Sequence, residues 1–443
     1  MLKDTIITIL GRSILLLCNV LATIFTARFL GPEGRGVYSL LTNYATIISI
    51  VGNLGIGTGN TYFSSQQRYH SSTLGWNSII GGLLVGIFFI PIGWLVPFIF
   101  PKTLQSIPFS LLWITLMAVP ALLIGQFLNA LALGIQQIII YNIVFALPGV
   151  VLALGLFVAL SLSPRVDLAL TVFTFAYYAM AIAGYFVLLR VRAIGLHPKL
   201  NLNTFKATIS FGIILQLGNF FQFLLFRLPL FFINTWVDTH AAGLYSISVY
   251  LAESLWQITQ SIGVVLLPRV SATPKSDDVL ALTSKSSRLG LAASTLIALA
   301  MAVCAYQIMH WLFGTEFLAA TPALLLLLPG TVAFSLTNVL GNYLTGRGFP
   351  HYNTIVFGIA LTLCVGLNLC FIPYWGITGA AMAVSLSYLA SALVTFYFFR
   401  KLAGDSEHAL AVLPHIEDWK TLFQSGINVM RKITEFLKGQ RHE

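Results

Sequence analysis

Charge is what this chain has least of: Asp, Glu, Lys and Arg make up 9% of its 443 residues, against about a quarter in soluble domains. That scarcity excludes an ordinary water-soluble domain. Cysteine is rarer still. Cys18, Cys304, Cys364 and Cys370 lie inside apolar runs without metal-ligand spacing, so packing is their expected role. Of the eight histidines, His310 and His351 stand at the ends of apolar runs and the rest fall in loops or the tail, so no ligand cluster forms. No glycine-rich loop followed by Lys and no nucleophile with its base is present. Without a nucleotide-binding signature, transport by this chain must draw on an ion gradient, a substrate gradient or consumption of the product. The chain is expected not to be an enzyme, to use no cofactor beyond a coupling ion, Na+ or H+, and to bind no nucleic acid.

What is present is apolar sequence in long runs: 57% of residues are hydrophobic and the mean hydropathy is +0.87. A helix needs about 20 mostly apolar residues to cross a hydrocarbon core of about 30 Å. Twelve segments qualify, near 5–29, 36–62, 74–100, 107–134, 138–162, 167–192, 206–234, 242–268, 286–312, 318–344, 352–373 and 378–400. The first run continues past Lys3 and Asp4 to Leu30, too long for a signal peptide, and reads as a retained span. The fold class is therefore an all-α polytopic membrane protein.

Loop charge sets the expected orientation. With the N-terminus inside, thirteen Lys and Arg fall in inner loops, and only Arg28, Arg35, Lys102 and Arg165 in outer ones. Both termini are then cytoplasmic. Beyond Lys401 the chain turns polar, and Ile416, Trp419, Phe423, Ile427, Met430, Ile433 and Leu437 recur at helical spacing among basic residues. Such a helix fits the anionic inner leaflet, or equally a tail that docks on the body.

The halves resemble each other. A shift of 207 residues lays Gly36-Val-Tyr-Ser39 on Gly243-Leu-Tyr-Ser246, and one of 211 lays Tyr141-Asn-Ile-Val144 on Tyr352-Asn-Thr-Ile-Val356 with one inserted residue. The expected organisation is a six-helix bundle at 1–192, a cytoplasmic linker at 193–205, a second six-helix bundle at 206–401 and a basic amphipathic tail at 402–443. Because six is even, both halves share one orientation, and they would meet at a central cleft.

Polar side chains at membrane depth point to a wet path or to a partner helix. Ser39, Asn43, Thr46, Ser49 and Asn53 recur at three and four residues in the second span. Ser246, Tyr250, Glu253, Gln257 and Gln260 do so in the eighth, and Ser335, Asn338, Asn342 and Thr345 in the tenth. The first span adds Arg12, Asn19, Thr23 and Thr26, and the seventh Gln216, Asn219 and Arg227. The candidate substrate-binding set is Arg12, Asn19, Arg28, Asn43, Thr46, Asn53, Asn219, Arg227, Tyr250, Glu253 and Gln257. Hydrogen bonding between helices is the alternative role for each polar member, and an Arg227–Glu253 pair is within reach. The set is cationic on balance, which suits a pyrophosphate group, because guanidinium binds its oxygens in pairs.

Two stretches carry a family likeness. Ala27-Arg-Phe-Leu-Gly-Pro-Glu-Gly-Arg-Gly-Val-Tyr-Ser39 resembles the first helical hairpin of polysaccharide exporters in the multidrug/oligosaccharidyl-lipid/polysaccharide (MOP) superfamily. Asn368-Leu-Cys-Phe-Ile-Pro-Tyr-Trp-Gly-Ile-Thr-Gly-Ala-Ala381 resembles its late motif. The resemblance implies a MATE-like fold of twelve spans and, for the O-antigen-type, Wzx-like branch, a flippase. Such a protein moves polyprenyl-pyrophosphate-linked sugar units across the bacterial cytoplasmic membrane, beside polysaccharide polymerase machinery. The drug-exporting branch typically carries acidic residues in its first or seventh span, where this chain has Arg12 and Arg227. Glu253 keeps a cation-coupled antiporter as the alternative. Lipid II flippases usually add C-terminal spans, and a membrane glycosyl-transferring enzyme would need a large outer loop, whereas every outer loop here is short.

Overall fold

The structure is a computed structural model of the chain, and it describes residues 2–99, 101–104, 107–198, 200–272, 277–404, 411–415, 418, 419 and 424, the side chains of 2–14, 103, 258, 264, 265 and 268 excepted. Among these residues every regular element is a helix. The α-helices are α1 (Leu2–Asn53), α2 (Ile56–Ser65), α3 (Ser71–Ile99), α4 (Phe109–Leu116), α5 (Ala118–Gly134), α6 (Ile138–Leu162) and α7 (Val166–Arg190). They continue with α8 (Leu202–Trp236), α9 (Thr239–Ser254), α10 (Trp256–Ala272), α11 (Asp277–Val303), α12 (Ala305–Ile308), α13 (Thr321–Gly346) and α14 (His351–Ala403). Nine segments of the described residues are long and apolar enough to cross a membrane. This is a multi-pass membrane protein.

Two of the nine have double length. α1 has 52 residues and α14 has 53, and each is broken once, at Gly31 (φ 65°, ψ −178°) and at Gly376 (φ 53°, ψ −130°). Positive φ is open to glycine at no steric cost. Either side of each break is long enough to span by itself. The connection expected between the first two spans thus shrinks to Gly31. Pro32 follows in the first helical position, where its fixed φ suits the helix and its missing N–H is not needed. The hydrogen bond from Arg35 Nη1 back to Thr26 Oγ1, 2.5 Å, bridges the break, too far a reach along a straight helix.

Other boundaries shift for local reasons. The segment expected at 36–62 is interrupted at Leu54 (φ 49°) and Gly55 (φ 80°), which separates α2 from α1. The one expected at 286–312 begins at Asp277, where Asp277 and Asp278 in the first turn complement the helix dipole. It ends in a π-helical turn, Met309–Phe313. The expected linker at 193–205 is fastened rather than loose. Asn77 and Asn201 exchange hydrogen bonds of 3.0 and 2.9 Å, Trp76 Nε1 donates to the Gly195 carbonyl at 2.9 Å, and Ile194 is buried. Asn201 Oδ1 also caps α8 by accepting from Thr204 N.

The chain divides into two compact units. The first comprises 1–247, 307–321 and 365–380. Part of its core is Phe63, Leu74, Leu128, Leu131, Val144, Met180, Leu188 and Ile194. The second comprises 248–306, 322–364 and 381–443. Its core includes Leu266, Val270, Val339, Tyr343, Phe399 and Val412. There Gly330 lets α13 approach α14, its N–H donating to Ser385 Oγ at 2.8 Å.

Candidate functional site

Within the first unit, α1 meets α9 at its Gly31 end through glycine. A Cβ on Gly36 would lie 2.0 Å from the Thr239 carbonyl oxygen, and one on Gly243 would lie 1.8 Å from that of Pro32. Gly36 and Gly243 are 207 residues apart, and so are Pro32 and Thr239. The contact is therefore reciprocal under the repeat shift, as a local two-fold axis requires. Missing side chains let the backbones approach closely enough for dispersion and weak Cα–H···O bonding, the forces that hold helices together in lipid.

Just past the far end of α1, Gly55 and α2 meet α8, again through glycine. A Cβ on Gly212 would lie 1.9 Å from the Gly55 carbonyl oxygen, and one on Gly59 would lie 2.6 Å from that of Thr208. Tyr62 stacks on Phe211 with centroids 4.0 Å apart, and Gln216 Nε2 donates to the Ile50 carbonyl at 3.0 Å. Gly36 and Asn53, the end of α1, are 17 residues apart, about 25 Å along the helix.

Between these contacts stand several members of the candidate set. Asn43 and Thr46 are half-buried on α1, and each bonds the backbone a turn earlier, Asn43 Nδ2 to Ser39 O at 2.7 Å and Thr46 Oγ1 to Thr42 O at 2.8 Å. On α8, Asn219 is exposed and Arg227 half-buried, with its guanidinium 6.0 Å from the Phe223 ring centroid. Counted from Gly212, Asn219 lies about 10 Å and Arg227 about 22 Å along α8; counted from Asn53, the last residue of α1, Thr46 lies about 10 Å and Asn43 about 15 Å along α1.

Other members have neighbours of their own. Asn53 is buried against α5, its Nδ2 donating to Gln126 Oε1 at 3.1 Å. Asn19 Oδ1 rests against Gly149 of α6. Arg28 is exposed and bonds backbone carbonyls of the π-helical turn, Nε to Leu312 O at 2.8 Å and Nη2 to Trp311 O. The Arg12 side chain lies outside the described residues. In the second unit, Tyr250 and Glu253 are half-buried and Gln257 is exposed. On α13, Asn338 Nδ2 donates to Thr259 Oγ1 at 3.3 Å and Asn342 Nδ2 to Asn338 O at 2.7 Å.

One residue counted in the sequence only as loop charge is buried. Arg35 is 8% exposed, and its Nε donates to Ser246 Oγ at 3.3 Å while Nη1 reaches Thr26. The signal for it was available, since Arg35 stands one turn before Ser39 and extends the polar stripe backwards. Among the described residues no group of three His, Cys, Asp or Glu side chains is placed to hold a metal ion.

Residues 25–322 match the family described as polysaccharide biosynthesis protein. The chain belongs to that family. Similar solved structures include a multidrug-resistance MATE transporter of the MOP superfamily in an inward-facing conformation, 13% identical, with a TM-score of 0.71 over 89% of this chain and 97% of that one. They also include the lipid II flippase MurJ in an inward closed conformation, 13% identical, with a TM-score of 0.68 over 90% and 87%. The polysaccharide biosynthesis protein thus has the MATE-like, all-helical fold of the MOP superfamily. It is also similar to a probable low-salt glycan biosynthesis flippase of Haloferax volcanii, 23% identical over 37% of each chain. The aligned region spans about a third of the length of the curated relatives it matches.

Proposed function

We propose that this polysaccharide biosynthesis protein is a flippase. It carries polyprenyl-pyrophosphate-linked oligosaccharide units across the cytoplasmic membrane of a bacterium and hands them to surface polysaccharide assembly. Twelve spans form two halves, 1–192 and 206–401, with both termini and the tail cytoplasmic, and alternating access proceeds by rocking one half against the other.

The observation that carries this reading is the charge of the first and seventh spans. They hold Arg12 and Arg227 and no Asp or Glu. Arg227 is half-buried, nine residues before the end of α8. A guanidinium at such depth draws an anion, and a diphosphate meets it with paired charge-assisted bonds. The sugars pass Asn43, Thr46, Asn219, Tyr250 and Gln257, and the polyprenyl chain stays in lipid. Family membership supports the substrate class.

The test is flipping of a fluorescent polyprenyl-diphosphate sugar in proteoliposomes. Arg12→Ala and Arg227→Ala should each slow it by about tenfold or more, the loss of one charge-assisted contact, and wild-type rates in both would reject the cationic path. Glu253, standing where the repeat shift places Thr46, favours a second reading, a cation-coupled drug antiporter. For that, drug efflux would have to disappear in Glu253→Gln while no lipid is flipped.

A further inference from the structure

Two spans of the first unit begin side by side at the end that the loop-charge bias makes the outer one. α4 starts after Pro108, whose backbone is extended (φ −59°, ψ 134°), and α7 starts after Arg165, extended likewise (φ −123°, ψ 138°). Further along, the two helices are fastened to each other. Thr174 Oγ1 donates to the Ile114 carbonyl at 2.9 Å, and the Tyr178 hydroxyl to that of Met117 at 3.2 Å. Toward their starts lies a cavity of about 390 Å³. Pro108, Leu111, Ile114 and Val166 line it with apolar surface, and Ser110, Arg165 and Asp167 supply its polar groups. This volume falls within the range of small-molecule sites, about 300–1,000 Å³, which share the same build of apolar walls and a few polar groups. None of these residues is among the candidate substrate-binding set.

The polar groups decide what fits. Arg165 holds Asp167 bidentately, Nε to Oδ1 at 3.0 Å and Nη2 to Oδ2. With side chains 65% and 30% exposed, the pair contributes little to stability, so holding the fold does not account for it. A guanidinium has five N–H groups and a carboxylate about four lone-pair positions, which lets each serve its partner and a ligand at once. Together they carry no net charge. A diphosphate would meet the carboxylate as a like charge, and a drug cation would meet the guanidinium in the same way. A neutral ligand rich in hydroxyls meets neither objection. Adjacent hydroxyls donate to Asp167 and accept from Arg165, while the C–H face of a sugar ring covers the apolar wall. We propose that this cavity binds a neutral sugar unit of the translocated glycan. The proposal rests on the flippase reading above and adds to it a product-side site. Val166 ties the site to the outer contact: a Cβ on Gly34 would lie 3.4 Å from Val166 Cγ2, and Gly34 lies between Pro32 and Gly36, which meet α9. A sugar seated on Val166 is one side chain away from that contact.

Thiol protection in full-length protein in nanodiscs, with the four native cysteines replaced by Ser, tests this. Ser110→Cys puts a thiol in the cavity, and Thr315→Cys, at an exposed position that does not line it, is the control. The probe is the oligosaccharide released by mild acid from the lipid-linked glycans of the cells that make the protein. At ten times its half-saturating concentration it should slow maleimide labelling of Ser110→Cys about tenfold and leave Thr315→Cys unchanged. Asp167→Asn and Arg165→Gln, each added to Ser110→Cys, should raise the half-saturating concentration about tenfold, the loss of one charge-assisted contact. Protection by glycerol 3-phosphate would make the cavity a lipid head-group site, and protection by inorganic pyrophosphate a diphosphate site; either overturns the proposal. Unchanged half-saturation in both pair variants, or equal slowing at Thr315→Cys, overturns it as well. Flipping by the same preparation separates the two readings. Flipping without protection removes the sugar site alone, and protection without flipping removes the flippase reading while the cavity still binds sugar.

Discussion

Arg288 Nε lies 3.0 Å from Asp418 Oδ2, joining the middle of α11 to the segment that follows α14. Arg288 Nη1 also donates to the Ala411 carbonyl at 3.0 Å, Asp418 Oδ2 accepts from His415 N at 2.8 Å, and Val412 is buried in the core of the second unit. Of the two roles open to the tail, this part docks on the body. Ile416 and the amphipathic positions from Phe423 to Leu437 lie outside the described residues. The Asp418 side chain is 9% exposed and that of Arg288 20%. Removing one partner leaves a largely buried charge, so Asp418→Ala should cost about 1–3 kcal/mol. A lowered Tm in detergent and faster trypsin cleavage after Lys401 would show it. Cleavage at the wild-type rate would mean that the segment is held by Val412 alone.

Arg28 separates a structural arginine from a transporting one. Both of its bonds go to carbonyls of the π-helical turn, groups that the irregular winding leaves without helical partners. Arg28→Ala should therefore lower Tm by a few degrees while leaving flipping per folded molecule within about twofold, since a net hydrogen bond contributes about 1 kcal/mol. Arg227→Ala should show the reverse pattern. If Arg28→Ala stops flipping at unchanged Tm, Arg28 belongs to the path after all.

Fold class was legible in the sequence because hydropathy alone decides it: runs of about 20 apolar residues can be satisfied only as helices in lipid. Gly36 and Gly243, picked out by their spacing, prove to touch. Side-chain direction was not legible. In lipid both faces of a helix are apolar, so no hydrophobic stripe marks the inward one. The polar stripe from Ser39 to Asn53 therefore reads as one face, although Asn43 and Thr46 are half-buried while Asn53 is turned against Gln126. The place of Arg35 is hidden for a related reason. Loop charge puts it in water, but the break at Gly31 leaves no loop there, and the residue is buried in a helix.

The contact between α2 and α8 gives a prediction that does not depend on the substrate. Gly212 and Gly55 meet backbone to backbone, and Gly55 holds φ 80°, so neither accepts a Cβ without movement. The contact also seats Tyr62 on Phe211 and brings Gln216 to the Ile50 carbonyl. A methyl group on Gly212 has backbone in front of it, which cannot rotate aside as a side chain would. Overpacking of this kind costs about 1–3 kcal/mol, and here the strain is relieved most easily by parting α2 from α8. Gly212→Ala should lower Tm and expose a cysteine introduced as Gln216→Cys, in a background without native cysteines, to an impermeant thiol reagent. Gly366→Ala is the control, because nothing lies within 4 Å of the added Cβ, and helix propensity alone would leave stability equal or slightly raised. If Gly212→Ala labels and melts like Gly366→Ala, the close approach is not what holds these two helices together.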